Sequence, residues 1–187
     1  MRIDAIGFNV DTSVITNRTK VNVDKIRTRV VGTLSRRIKV QARRDIQTEY
    51  NIKASTINDR LSVSHQFFDV RLKARATGIN LIAFSARQTS KGVSYAVKKG
   101  QRKTLAHAFI RSTRSGRGPF VWMRGDAGSK YTSSSPSKNQ YNGRHGYPIS
   151  QQFGPSVAQM LKHGDRPQRL ADYASSVVAA ELARLTR

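Results

Sequence analysis

The sequence predicts an α+β protein: a long N-terminal helix, an antiparallel sheet of about four to five strands and a C-terminal helix. Three observations predict this order. Apolar residues recur at helical spacing through 22–50, apolar and cationic residues alternate from residue 68, and a second helical stripe runs through 167–186. Helical periodicity on both sides of a strand-rich middle is typical of the α+β class, because βαβ units would place helices between the strands.

Residues 1–19 are expected to form an extended arm in front of a single domain at 20–187. The arm is polar in its second half and has four well-spaced apolar side chains near its start: Ile3, Ile6, Phe8 and Val10. Such a segment has too few contacts to order alone. We therefore expect it to order on assembly, against a neighbouring subunit.

Residues 22–50 are the clearest helix in the sequence. Its apolar positions follow steps of three and four, which predicts a core-facing stripe: Val23, Ile26, Val30, Leu34, Ile38, Ala42 and Ile46. The other faces are rich in Lys and Arg. We predict that one basic face meets acidic protein or the DNA backbone, and that it consists of Arg36, Arg37, Lys39, Arg43 and Arg44.

The middle of the chain is predicted to be strand-rich. Residues 53–62 indicate a short helix capped by Ser55 or Thr56, and the alternation that follows predicts a strand whose cationic face holds Arg71, Lys73 and Arg75. Turn signals separate four further candidate strands, at 79–86, 93–98, 105–111 and 120–124. Lys98 and Lys99, next to one of these turns, extend the expected partner-facing basic set.

Residues 125–148 are predicted to be a long polar assembly loop, with Tyr131, Tyr141 and Tyr147 as its adaptable contacts. After it, Phe153-Gly154-Pro155 is expected to fix a turn or an interface. Phe153 would be the apolar anchor, Gly154 would supply backbone freedom, and Pro155 would start a short helix over 156–162. Pro167 is expected to open the C-terminal helix.

The charge balance indicates the class of partner. The chain has 34 Lys and Arg against 11 Asp and Glu, a net charge of +23 on 187 residues, and the excess runs along the whole sequence. Such charge is tolerated when nucleic acid, a membrane surface or acidic protein neutralises it. A solvated basic surface is the simpler alternative. No apolar run reaches spanning length, so no membrane partner is expected.

The search for catalytic chemistry gives no candidate. The four histidines stand alone, Cys is absent, and no Ser lies in a nucleophile-elbow motif, so neither enzyme activity nor a cofactor or metal is expected. Basic residues do interleave with Phe67, Phe68, Tyr95, Phe120 and Trp122, as a stacking surface for single strands would require. Their strand-like alternation favours core positions instead. A basic nucleic-acid-binding protein without base-specific readout remains the alternative function.

Three stretches resemble the phage minor tail protein Z family, the tail-completion proteins of long-tailed phages. They are ARRDIQTEYNIKAS (42–55), GINLIAFSARQTSKGVSYAVKKGQRKTLAHAFI (78–110) and PISQQFGPSVAQML (148–161). They occur in the order of the family, and the similarity extends over roughly residues 20–165. The loop at 125–148 is longer and richer in Ser and Tyr than the family pattern.

The resemblance implies a structural protein of the virion neck, assembled in the host cytoplasm. Such proteins form a ring at the head-proximal end of the tail, expected to be six-fold, around the channel through which DNA passes. The implied partners are copies of the same chain, the tail terminator and the head-completion or connector proteins. Genomic DNA in the channel is a further candidate partner.

Overall fold

The computed structural model describes residues 6–9, 23–66, 69–112, 118–124 and 149–185. Its element order confirms the α+β class, with a long helix first, short antiparallel strands in the middle and a helix last. The chain divides into two compact units, and the single domain expected over 20–187 stays a prediction. Unit 1 contains the described residues up to Gly78 and from Pro155 onward, and unit 2 contains those from Ile79 to Gly154.

Unit 1 contains a three-stranded antiparallel sheet. Its strands are β1 (Ile6–Asn9), β2 (Leu61–Gln66) and β3 (Asp69–Ala74), in the order β1-β3-β2. Ile6 of β1 pairs with Leu72 of β3. Four residues of the predicted arm therefore form an edge strand, and the rest of the arm lies outside the described residues.

Four helices complete unit 1: α1 (Val23–Glu49), α2 (Ala54–Asn58), α3 (Val157–Lys162) and α4 (Arg166–Leu185). From Val30 to Ile46 the predicted stripe of α1 is buried and packs on α4 and on the sheet, where Val70 and Leu72 of β3 are also buried. Ile26, one turn earlier, is half-buried. From α4, Leu170, Ala174 and Val177 complete this core. The bounds predicted for the two long helices are confirmed to within one residue.

Two local predictions in unit 1 are wrong. The helix expected over 53–62 is only α2, Lys53 caps it without a side-chain hydrogen bond, and the chain from Leu61 joins the sheet as β2. In α3 the N-cap is Ser156, whose hydroxyl accepts a hydrogen bond from the backbone N–H of Gln159. The side-chain oxygen of Gln159 in turn accepts from the backbone N–H of Ser156. This capping box starts the helix, and Pro155 lies before the cap.

Unit 2 is made of short strands. They are β4 (Ile79–Asn80), β5 (Arg87–Thr89), β6 (Gly92–Tyr95), β7 (Lys103–Ala106), β8 (Ala108–Ser112), β9 (Pro119–Arg124), β10 (Ile149–Gln151) and β11 (Phe153–Gly154). They pair in three small antiparallel sheets, β5-β6-β7, β10-β9-β8 and β11-β4. A 3-10 helix at Leu81–Phe84 follows β4 and buries Phe84 completely.

Two strands predicted in this unit are interrupted. The one expected over 79–86 ends at Asn80, whose side chain accepts a hydrogen bond from the Ile82 amide (3.1 Å) and caps the 3-10 helix. The one expected over 105–111 is divided at His107, which has φ +58°. Both interruptions depend on single backbone positions that the alternation of apolar residues does not reveal.

Phe153 is not a buried anchor within the chain, and its role at an interface stays a prediction. Phe153 lies in β11, opposite Asn80, and its side chain is 53% exposed. The close contact belongs to Gly154, where an added Cβ would lie 2.6 Å from the Phe84 ring. Glycine is required here because the buried ring leaves no room for a side chain.

Candidate polyanion-binding surfaces

Carboxylates are scarce, and in unit 1 several of them are used within the protein. Glu49 pairs with Arg166 (2.7 Å), Asp45 with Arg169 (3.9 Å) and Glu181 with Arg184 (2.6 Å). Each of these pairs includes at least one residue of α4. The acidic side chains that could have neutralised neighbouring cations therefore serve helix packing, and much of the basic surface is left without an ion pair.

Glu181 lies at the contact between α4 and α1. Its residue is only 8% exposed, and the hydrogen bond from Arg184 lowers the pKa of its carboxyl group, helped by the charge of Arg37 and a hydrogen bond from Thr33. The same pairing raises the pKa of Arg184. One carboxylate thus receives interactions from both helices.

The side of α1 away from the core carries a continuous cationic stripe, which we call the α1 basic face. Its five members are exposed, and within the described part of the chain none of them forms an ion pair: Lys25, Arg29, Arg36, Arg37 and Arg44. At a rise of 1.5 Å per residue the face is about 28 Å long. Val40, 37% exposed, lies in its middle.

Lys39 and Arg43, predicted on the same face, are half-buried instead. The buried stripe explains this: it advances by strict steps of four from Leu34 to Ile46, and each such step turns about 40° around the helix axis. By Ile46 the stripe has turned toward Lys39 and Arg43. The Nε atom of Arg43 is buried with no hydrogen-bond partner in the described structure.

A second cationic surface lies on β3, and we call it the β3 basic face. Arg71, Lys73 and Arg75 are exposed, as the alternation predicted, while Val70 and Leu72 point into the core. On β2, Ser64 and Ser62 lie opposite Arg71 and Lys73. Asp69 pairs with Arg71 (2.5 Å), so Lys73 and Arg75 are the members without an ion pair among the described residues.

The two faces point away from each other. The apolar side of α1 packs on the side of the sheet that carries Val70 and Leu72. The α1 basic face is therefore directed away from the sheet, and the β3 basic face lies on the opposite surface of the sheet. The predicted basic residues do not converge on one site. In unit 1 they form two separate cationic surfaces.

Unit 2 has an even greater excess of positive charge. From Ile79 to Gly154 the sequence contains 13 Lys and Arg and one carboxylate, Asp126, which lies outside the described residues. Of the predicted pair at the β6–β7 turn, Lys99 is exposed and Lys98 is half-buried. Arg102 donates hydrogen bonds to Ser94 and to the Ser85 carbonyl, so it also stabilises the local fold.

Gln88 is a structural residue of unit 2 that no pattern in the sequence singles out. Its amide nitrogen donates to the carbonyls of Thr89, Gly92 and Ala108, and its side-chain oxygen accepts from the Ile110 amide (2.9 Å). It thereby joins the β5–β6 hairpin to β8. Beside it, an open cavity of about 540 Å³ is lined by Lys91 and His107 among other residues.

Several predictions fall outside the described residues. These include the loop at 125–148 with Tyr131, Tyr141 and Tyr147, and the aromatics Phe67 and Phe68. Among the residues that are described, no group of three His, Asp or Glu is placed to hold a metal ion. No described helix is long and apolar enough to cross a bilayer.

Fold and surfaces together define a basic α+β protein with cationic faces on two sides of unit 1 and a nearly carboxylate-free unit 2. No protein-family model matches the chain, and no curated protein or solved structure is significantly similar to it.

Proposed function

We propose that this chain is a structural virion protein, a tail-completion component that forms a ring at the head-proximal end of a phage tail and joins tail to head around the DNA channel. The resemblance of residues 42–55, 78–110 and 148–161 to the minor tail protein Z family supports the proposed location in the virion. The excess of positive charge supports contacts with acidic partners.

The proposal depends on one observation: identical copies of the chain have too few carboxylates to neutralise one another's excess positive charge. Each copy has a net charge of +23, and among the described carboxylates Glu49, Asp45 and Glu181 already pair within the protein. A ring of identical subunits only multiplies this excess. Its stable assembly requires an acidic partner, which viral DNA or an acidic neighbouring ring supplies.

Two opposite faces suit a ring subunit that meets different partners on different sides. In this arrangement the α1 basic face and the β3 basic face each contact a separate acidic surface. The segments with the resemblance include part of both units: the end of α1, the strands from β4 to β8, and β10, β11 and α3.

The experiment is complementation of a phage that lacks the gene, with Arg36→Glu and Arg44→Glu combined. These positions are preferred to Arg37, whose charge acts on Glu181. We expect a large loss of infectious particles with normal protein levels, because exposed helix positions seldom cost much stability. The matched control, Lys53→Glu with Lys162→Glu, makes the same charge change at two exposed lysines that belong to neither face, and it should support normal yield. Normal yield from the first variant would refute a partner on this face.

A second candidate is a free nucleic-acid-binding protein without base-specific readout, favoured by the near absence of carboxylates in unit 2. The two functions differ in assembly. Sedimentation of the chain with tail terminator and head-completion proteins should give a ring of several copies under the first proposal. A monomer that binds DNA but none of these proteins would support the second.

A further inference from the structure

We propose that one face of the β8–β9–β10 sheet in unit 2 binds single-stranded nucleic acid, with unpaired bases stacked on Phe120 and Trp122 and phosphates attracted by Arg111. The inference does not depend on the place of the protein in a virion. We call this surface the β9 aromatic face.

The strand register places Phe120 and Trp122 on the side of the sheet opposite to the buried Val121. Val121 of β9 is fully buried, and Ile110 lies opposite it. Phe120 and Trp122, its neighbours, point to the other side of the sheet and are only half-buried. The core positions expected for these two aromatics are therefore wrong, and they belong to a surface that keeps contact with solvent.

Cross-strand neighbours complete the β9 aromatic face. Arg111 of β8 is exposed and lies opposite Phe120, and Gln151 of β10 lies opposite Trp122. Ile149, on the same side of β10, is 56% exposed. Rings, a guanidinium group and an amide thus share one face of a three-stranded sheet.

The rings are held in place before any ligand binds. The indole Nε1 of Trp122 donates a hydrogen bond to the carbonyl of Arg111 (3.2 Å). The ring centroids of Phe120 and Trp122 lie 6.3 Å apart at an interplanar angle of 64°. A fixed aromatic platform loses little conformational freedom when it binds, which favours stacking. Base–aromatic stacking tolerates any sequence, because every base has a π-face.

Charge identifies the occupant as nucleic acid rather than a second copy of the chain. The unit has 13 cationic side chains and one carboxylate, and another copy would present the same excess. Single strands fit better than duplex, because duplex hides the base faces and its major groove admits a helix or a two-stranded ribbon, not a three-stranded sheet. An extended single strand offers both bases and phosphates to one flat surface.

Trp122 is the only tryptophan of the chain, so its fluorescence reports directly on this face. The intact protein is titrated with a 20-nucleotide oligothymidine and with a 20-base-pair duplex, while anisotropy of a label on the DNA measures binding. We expect the single strand to quench the tryptophan emission at saturation and the duplex to bind with much weaker quenching.

Variants measure the stacking contribution. Trp122→Ala should weaken oligothymidine binding between about fivefold and 150-fold, the range for loss of one stacked base. Trp122→Phe keeps a ring and should lose far less. Arg111→Gln should reduce the slope of log affinity against log salt by about 1. Tyr173→Ala, an aromatic substitution on α4 of unit 1, is the matched control and should bind as the unchanged protein.

The quenching experiment needs no variant, so misfolding of Trp122→Ala does not affect it. Binding of oligothymidine with unchanged tryptophan emission would overturn the proposal and leave phosphate attraction alone. Failure to bind oligothymidine at low salt would overturn it as well. A change of emission with protein concentration in the absence of DNA would assign the face to a second copy of the chain.

Discussion

Arg166 and Glu49, 117 residues apart in sequence, form an ion pair of 2.7 Å that joins the start of α4 to the end of α1. Arg166 is 2% exposed, also donates to the Met160 carbonyl, and lies over the Tyr50 ring at 5.6 Å. The only strongly buried cation described in the chain thus closes its fold, while the cations of the basic faces remain outside.

Removing the Glu49 carboxylate should destabilise the fold strongly. Glu49→Ala leaves Arg166 buried without its acidic partner, which costs about 3 kcal/mol, the lower end for such pairs because Glu49 is partly exposed. Urea unfolding at neutral pH measures the loss. Asp172→Ala, on the exposed side of α4, is the control and should change stability by less than about 0.5 kcal/mol. Equal effects of the two changes would contradict a structural role for the pair.

Stability should fall in acid partly through Glu181. Its pKa is lowered in the folded protein, so the unfolded chain takes up the proton first as the pH falls. The stabilisation from Glu181 is fully present above about pH 4.5, the ordinary pKa of the group, and is lost as the pH falls through its pKa in the folded protein.

Glu181→Gln should therefore flatten the dependence of the urea midpoint on pH below about 4.5. Arg184→Gln should flatten it too, because Arg184 is the main cause of the shift. Lys162→Gln keeps all carboxylates and should retain the original slope. An unchanged slope in Glu181→Gln would show that this pairing does not stabilise the fold.

Two glycines should respond in opposite ways to alanine. Gly32, in the middle of α1, has open space around an added Cβ, so Gly32→Ala should stabilise the protein by up to about 1 kcal/mol through helix propensity. Gly154→Ala should cost about 1–3 kcal/mol, because its Cβ would meet the buried Phe84 ring. Thermal unfolding distinguishes them, and a stabilising Gly154→Ala would contradict the packing described here.

The α1 basic face should bind duplex DNA without regard to sequence. Arg36→Gln with Arg44→Gln should reduce the slope of log affinity against log salt by about 2, since each phosphate contact contributes about one unit. Lys53→Gln with Lys162→Gln is the matched control. A slope unchanged by the first pair would direct this face toward acidic protein instead of DNA.

Periodicity in the sequence predicted the long elements but not the short ones. The bounds of α1 and α4 follow from many apolar residues at helical spacing, and the cationic side of β3 follows from its alternation. The break at His107 and the turn after Asn80 each depend on one residue, too short a signal for periodicity. Local periodicity does not predict the strand Leu61–Gln66, because its pairing with β3, a tertiary contact, decides its conformation.

The candidate surfaces were predicted in part for the same reason. Arg36, Arg37 and Arg44 are exposed as expected, whereas Lys39 and Arg43 are half-buried because the four-residue steps of the core stripe turn toward them. The alternation favours core positions for Phe120 and Trp122, but it shows only which residues share a face and not which face is covered. That choice depends on Val121, whose burial only the structure reveals.

Cryo-electron microscopy of particles from a phage that encodes this chain tests the central proposal most directly. We predict a ring of this chain, expected to be six-fold, at the head-proximal end of the tail, with at least one basic face of each subunit against DNA or an acidic neighbouring protein. Mature infectious particles that contain no copy of the chain would contradict it.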